Sequence, residues 1–216
     1  IYTGEDTLSL HDALPICETL LADESNDVQQ IKRGVQIMVK ESRRLTNMVE
    51  ELLQFSRLED GRFTLQVEEM DLQAELEDAI YTYRELFRQD GISLEYGSDK
   101  ALYDEPITGD PERLKQVFCN VLDNAAKHGG SGKRISTSVT REVDDAVVRV
   151  RDYGPGIPEA ELPFIKQKFY KGSSKARGSG IGLAIVKSIV SAHHGSVAAQ
   201  SDLRSTRFIV VLPKQV

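Results

Sequence analysis

From Val28 to Leu58 apolar residues recur as Ile31, Val35, Met38, Leu45, Val49 and Leu52, in steps of four and three with Ser42 as a polar break. That spacing predicts one long helix with a coiled-coil-like seam. Met48, Leu53 and Phe55 widen the stripe, which points to a bundle rather than a two-stranded rod. Upstream, Cys17 to Asp23 reads as the tail of an earlier helix, and Ser25-Asn26-Asp27 as turn and cap. Glu59-Asp60-Gly61 ends the long helix, with Gly61 suited to the position after it.

Beyond Gly61 the period changes. Phe63 to Val67 alternates like a strand. Asp71 caps a predicted second helix to about Arg88, burying Leu72, Leu76, Ala79, Ile80, Tyr83 and Phe87. Ile92 to Tyr96 is a short strand. Asp110-Pro111 opens a third helix, acid at the cap and proline in the first turn. Ile135–Arg141 and Ala146–Asp152 form a strand pair, a helix follows over Gly182–Ala192, and Ser196–Gln200 and Phe208–Leu212 close the pattern. Strands mixed with helices without strict alternation predict an α+β layer with its helices on one face.

Composition narrows the classes. The 216 residues carry 40% apolar and 28% charged side chains, an ordinary globular balance. A net charge of −7 argues against a nucleic-acid or anionic-membrane surface, and no apolar run reaches spanning length. No contact with nucleic acid or membrane is expected of these residues. The two cysteines, Cys17 and Cys119, lie far apart in helical contexts and are expected as reduced thiols. The start of the chain stands apart: Thr7 to Ile16 resembles the translation of a common sequencing-adapter oligonucleotide. The expected division is therefore 1–16 as an artefact, 17–61 as helical, and 62–216 as an α+β domain.

The chemistry sits in three stretches. Arg177 to Lys187 alternates glycines at Gly178, Gly180 and Gly182 and then turns apolar with helical character. Such glycines let backbone approach a ligand, and the helix start aims N–H groups at it, which suits a polyphosphate. On the third helix Asn120 and Asn124 are four apart and share a face, with Lys127 beside them. Amide oxygens suit Mg²⁺, and an ammonium pairs with phosphate oxygens. On the later strand Ala146, Val148, Val150 and Asp152 share a face. The Asp152 carboxylate thus ends a row of core residues beside a Gly154-Pro155-Gly156 turn, placed to accept from an exocyclic amine.

Taken in order, these stretches resemble the catalytic domains of histidine kinases. Asn120 to His128 is similar to the N box, Asp152 to Ile157 to the G1 box, Lys168 to Gly172 to the F box, and Gly178 to Leu183 to the G2 box. Asp110 to Gln116 and Phe208 to Pro213 also fit, so the resemblance covers roughly residues 17–213. It implies a Bergerat-type two-layer α/β sandwich preceded by part of a helical-hairpin dimerisation domain. The long helix would be that hairpin's second helix and would join two copies of the chain.

The resemblance further implies ATP and Mg²⁺ as cofactors. Asp152 would bind the adenine amine, with Gly154, Gly156 and Ile157 lining the base pocket and Thr206 near it, although Arg204-Ser205 replaces the usual Gly-x. Asn120 and Asn124 would hold Mg²⁺, Lys127 a phosphate, and His128 would lie beside the nucleotide. Tyr170 and Lys171 would close from a lid, and Gly178, Gly180, Ile181, Gly182 and Leu183 would present backbone to the phosphates. The γ-phosphoryl would pass to a histidine and then to an aspartate of a response-regulator receiver domain. The implied location is cytoplasmic, with the parent protein anchored in the cell membrane by a part beyond these residues.

One departure matters. The family's acceptor box runs His-acid-x-x-Thr/Asn-Pro, and His11 to Pro15 mimics it with the proline one residue early and Leu14 at the Thr/Asn site. His11 is not read as the acceptor, so the chain alone is expected not to phosphorylate itself. His193 and His194 are read as structural or surface groups. Two alternatives stay open: a non-catalytic ATP-binding and dimerisation module, or another ATPase of the same fold. Related hydrolases place a glutamate base four residues before the metal-binding Asn, where this chain has Asn120.

Overall fold

The computed structural model describes residues 28–59, 64–98, 106–172 and 179–215. The acceptor-like His11 stretch, Cys17, Gly61 and Gly178 lie outside them. The chain divides into two compact units, Ile1–Ser56 and Arg57–Val216.

The first unit contributes most of α1 (Val28–Glu59), 32 residues in one helix. Its expected seam is present as an apolar stripe: Ile31, Val35, Leu45, Val49 and Leu52 are all exposed on the single chain. At the predicted polar break, Thr46 Oγ1 donates to the Ser42 carbonyl at 3.0 Å.

In the second unit the elements run β1 (Glu68–Met70), α2 (Leu72–Gln89), β2 (Ser93–Ser98), β3 (Ile107–Gly109), α3 (Pro111–Gly129), β4 (Arg134–Glu142), β5 (Asp145–Asp152), α4 (Gly182–Ala192), β6 (Ser196–Asp202) and β7 (Ser205–Pro213). The strand expected over Phe63–Val67 is displaced. Residues 64–67 hold no regular structure, and the strand falls on Glu68–Met70 because its partner is β3, which pairs antiparallel from Glu68 opposite Gly109 to Met70 opposite Ile107.

The main sheet has five strands in the order β2-β4-β5-β7-β6. Only β2 and β4 run parallel; the other neighbours are antiparallel. One face is covered by helices, since α3 packs on β4, β5 and β7, α4 on β6 and β7, and α2 and α4 flank α3. Alternation explains the layer: on β7 Thr206, Phe208, Val210 and Leu212 are buried, while the residues between Arg207 and Val211 on the other face are half-covered. The third helix presents Leu114, Val117, Phe118, Val121, Leu122 and Ala125 to that face. Each fully buried Leu, Val or Phe there contributes about 1.5–3 kcal/mol, so truncating Leu122 would cost several times a surface change.

Caps fix where the helices begin. The Asp71 carboxylate accepts from the N–H groups of Gln73 and Ala74. On α2, Leu72, Leu76, Ala79 and Phe87 are buried, whereas Ile80 and Tyr83 are only half-buried. Asp110 does more. One carboxylate oxygen accepts from Arg113 N–H at 3.1 Å, starting α3, and the other accepts from Gln66 N–H at 2.9 Å. Its own N–H donates to His193 Nε2 at 2.9 Å, and His193 Nδ1 lies 2.8 Å from the Ile189 carbonyl. The expectation that His193 is structural is thereby met: its ring ties the start of α3 to the last turn of α4. His194 is exposed, with φ of 55°. Cys119 is a free, half-buried thiol on α3, and burial pushes its pKa up.

Candidate functional site

Asp152 ends β5 on the helix-covered face and is 2% exposed. Burial pushes its pKa above the ordinary carboxylate value, opposed by hydrogen bonds from the N–H groups of Gly154 and Thr206. The Gly154 bond measures 3.0 Å. In register, Asp152 lies opposite Thr206 on one side and Ile135 on the other. Thr206, the weakest of the expected site residues, is thus directly across from the acid and 3% exposed.

Backbone contact holds this end tight. A Cβ on Gly154 would come 2.5 Å from the Cα of Gly129 at the end of α3, and one on Gly129 would come 2.2 Å from the Asp152 side chain. Gly156 has φ of +77°, and a Cβ there would lie 1.7 Å from the Asp202 carbonyl oxygen. Only glycine satisfies both conditions. Ile157 N–H donates to Ser201 Oγ at 2.7 Å. Ser201 was not among the expected site residues; its contact spans 44 positions of sequence and leaves no local signal.

The other end gathers residues from α3 and α4. A Cβ placed on Gly182 would sit 3.7 Å from Asn120 Oδ1 and 3.8 Å from Asn124 Nδ2, so the start of α4 opens onto both amides. No side chain caps that start, which leaves its first-turn N–H groups without a side-chain acceptor. Asn124 Nδ2 donates to the Asn120 carbonyl at 2.8 Å. Asn120 Nδ2 is buried with no hydrogen-bond partner. A buried unpaired amide is costly, and an amide can present either its oxygen or its NH₂ to a ligand. These two side chains fit a hard cation beside phosphate oxygens. Among the described residues no group of three or more His, Cys, Asp or Glu could hold a metal, so a cation here would take oxygen from amides and ligand.

Lys127 is held in an ion pair on its own helix. Its ammonium lies 2.5 Å from Asp123 on the preceding turn, with 43% of the side chain exposed. His128 is exposed at the same end of the helix. Of the expected lid residues, Tyr170 stacks on Phe164 with centroids 5.9 Å apart, and Lys171 is exposed. Gly180, at φ +74°, accepts at its carbonyl from Phe169 N–H at 2.9 Å, and a Cβ on it would meet Phe169 and Tyr170 backbone at 2.9 Å. Ile181 is buried and Leu183 half-buried at the start of α4. The structure therefore brings Asn120, Asn124 and Gly182 to one end and Asp152, Gly154, Gly156, Ile157 and Thr206 to the other.

Residues 109–216, half of the chain, match the family described as histidine kinase-, DNA gyrase B-, and HSP90-like ATPase. The chain belongs to this family. Family membership implies a site for ATP. The sensor histidine kinase CusS of Escherichia coli is 32% identical over 205 residues, which cover 92% of this chain and 42% of CusS. The chain thus spans less than half the length of that relative. The histidine kinase AdeS of Acinetobacter baumannii shares the fold, with a TM-score of 0.74 at 20% identity over 95% of this chain and 94% of that one. So does the histidine kinase ThkA, in a structure with the response regulator protein TrrA: TM-score 0.73, 22% identity, 95% of this chain and 59% of that one. The α+β sandwich expected from the sequence is the fold these kinases have.

Proposed function

We propose that this chain is the catalytic core of a protein histidine kinase in two-component signalling. Its ATPase domain binds Mg·ATP and delivers the γ-phosphoryl group to a histidine imidazole, from which it passes to an aspartate of a response-regulator receiver domain. The observation that carries the site is the opening of the uncapped α4 start at Gly182 onto Asn120 and Asn124, with Asn120 Nδ2 buried and without a hydrogen-bond partner.

Bound Mg²⁺ would neutralise charge on the phosphate oxygens of ATP. For their part, Asn120 and Asn124 present amide oxygens to that cation, and the first-turn N–H groups of α4 face phosphate oxygens. Lys127 exchanges its Asp123 partner for phosphate. Asp152 accepts from the exocyclic amine of adenine, while Gly154, Gly156 and Ile157 form the wall of the base pocket. Tyr170, Lys171 and Gly178 act from the lid side.

The likeness to CusS supports the kinase reading over a hydrolase, as does an amide rather than a carboxylate at position 120. The exposed stripe of α1 supports dimerisation through residues 28–58. No described helix is long and apolar enough to cross a membrane; the proposed anchor of the parent protein lies beyond this chain.

The test supplies the missing acceptor. Incubated with Mg·[γ-³²P]ATP, the chain should bind nucleotide, fail to label itself, and label a separately supplied hairpin carrying the acceptor His box. Absence of Mg·ATP binding overturns the proposal. Binding without labelling of any supplied hairpin leaves the non-catalytic module in its place.

A further inference from the structure

We propose that Ser201 sets the base preference of the site by fixing the direction in which the Thr206 hydroxyl points. The inference rests on the ATP-site reading above and deepens it.

Four residues form one rung across the sheet. Ser201 on β6 is opposite Thr206 on β7, Thr206 is opposite Asp152 on β5, and Asp152 is opposite Ile135 on β4. Residues paired in register share a face, so the rung lies on the side covered by the helices. The Ser201 hydroxyl has one proton to give and two acceptor positions. Ile157 N–H fills one acceptor position at 2.7 Å. The proton goes to the Ser205 carbonyl at 3.0 Å, a shorter contact than the 3.5 Å to the Asp202 carbonyl. Thr206 Oγ1, also 3.0 Å away, then takes the second acceptor position and must be the donor of that pair.

With its proton committed to Ser201, Thr206 offers only lone pairs to anything else. Asp152 beside it takes N–H bonds from Gly154 and Thr206 on its carboxylate oxygens, and so it too presents lone pairs. The rung is thus an all-acceptor edge. At the matching position adenine carries an exocyclic amine, which donates, and guanine carries a carbonyl oxygen, which does not. A site whose buried polar groups are left facing like groups rejects that ligand strongly. Ser201 touches no nucleotide in this arrangement. It is a positioning residue that acts through Thr206 and, by holding Ile157, through the wall of the base pocket.

The experiment is calorimetric titration of the full 216-residue chain with ATP and with GTP in the presence of Mg²⁺. Ser201→Ala frees the Thr206 proton to turn toward a carbonyl, so the ATP-over-GTP ratio should fall by about tenfold or more. Thr206→Val should also lower the ratio, and adding Ser201→Ala to it should change the ratio no further. Thr206→Ser keeps the hydroxyl and its partner and should retain the parent ratio. This last pair tests the idea even if Ser201→Ala proves too unstable to titrate. A parent chain that prefers ATP, with the ratio unchanged in Ser201→Ala or with both nucleotides weakened equally, overturns this inference alone. An equal ratio in Thr206→Val and Thr206→Ser overturns it too. A parent chain that binds neither nucleotide overturns the ATP-site reading and this one together.

Discussion

The two ends of the proposed ATP site are built in opposite ways. At the Asp152 end nearly every polar group is already partnered: the carboxylate takes N–H bonds from Gly154 and Thr206, and Ser201 has all its positions filled. Backbone meets backbone there, with glycine as the only residue that fits. At the Asn120 end one amide is buried without a partner, the helix start has no cap, and Lys127 rests on a neighbouring acid. One end is satisfied within the fold; the other keeps polar groups without a protein partner. On the proposed function, the first would be a rigid reader of the base and the second an adaptable holder of phosphate, which suits phosphoryl transfer because positioning and charge neutralisation supply most of its catalysis.

The strongest way to break the contrast is Gly156→Ala. The new methyl meets the Asp202 carbonyl and forces a positive φ on alanine, so the rigid end should lose about 2 kcal/mol or more of stability and its nucleotide binding together. Thermal unfolding and ATP titration read both; a variant that binds normally would show that this end yields.

Asp152→Asn should separate the two properties. ATP affinity should fall by about a hundredfold, the worth of a hydrogen bond to a charged group in a buried site. Stability should not fall. The folded pKa of Asp152 is raised, so the folded state holds its proton to higher pH than the unfolded chain does. That contribution favours folding below the ordinary value of 3.8 and is lost as pH rises through the folded value. At neutral pH the buried charge is a burden, and removing it should leave Tm unchanged or higher.

Lys127→Ala addresses the adaptable end. ATP affinity should drop by about tenfold with unchanged adenosine binding, and Tm should barely move, because an exposed pair four residues apart contributes only about 0.3–0.5 kcal/mol. Equal losses for ATP and adenosine would contradict the assignment of Lys127 to phosphate.

The smallest effect is with pH. Burial holds the His193 pKa below its ordinary value of 6.5, helped by nearby His194 and opposed by the bond to Ile189 and the charge of Asp110. The unfolded chain therefore binds a proton that the folded chain refuses. Stability from this group is whole above pH 6.5 and declines by up to about 1.4 kcal/mol per unit as pH falls from there toward the folded value. Because His193 joins α3 to α4, phosphate binding should weaken on acidification before the base end loosens. A flat denaturation midpoint between pH 7 and 5.5 would exclude this.

Legibility in the sequence followed range. Asp71 and Asp110-Pro111 announce their helices through bonds to the next three residues, and both starts were foreseen. Asn120, Asn124 and Lys127 were legible as a helix face for the same reason. The displaced β1 was not, since Glu68 and Glu69 look nothing like a strand and become one only against β3 some forty positions on. Ser201 was hidden in an alternating strand, its role created by a loop that arrives from β5. Lys127 is legible as a cation, whereas its pairing with Asp123, one turn back, shows only in the structure.

Asp110 has one further consequence. Its two carboxylate oxygens join Gln66, on the segment that leads into this domain, to the first turn of α3. Residues 64–66 are thereby tethered to α3 through that carboxylate. The tethered helix is the one that carries both asparagines, so the anchor of that segment and the proposed seat of the phosphates share one rod.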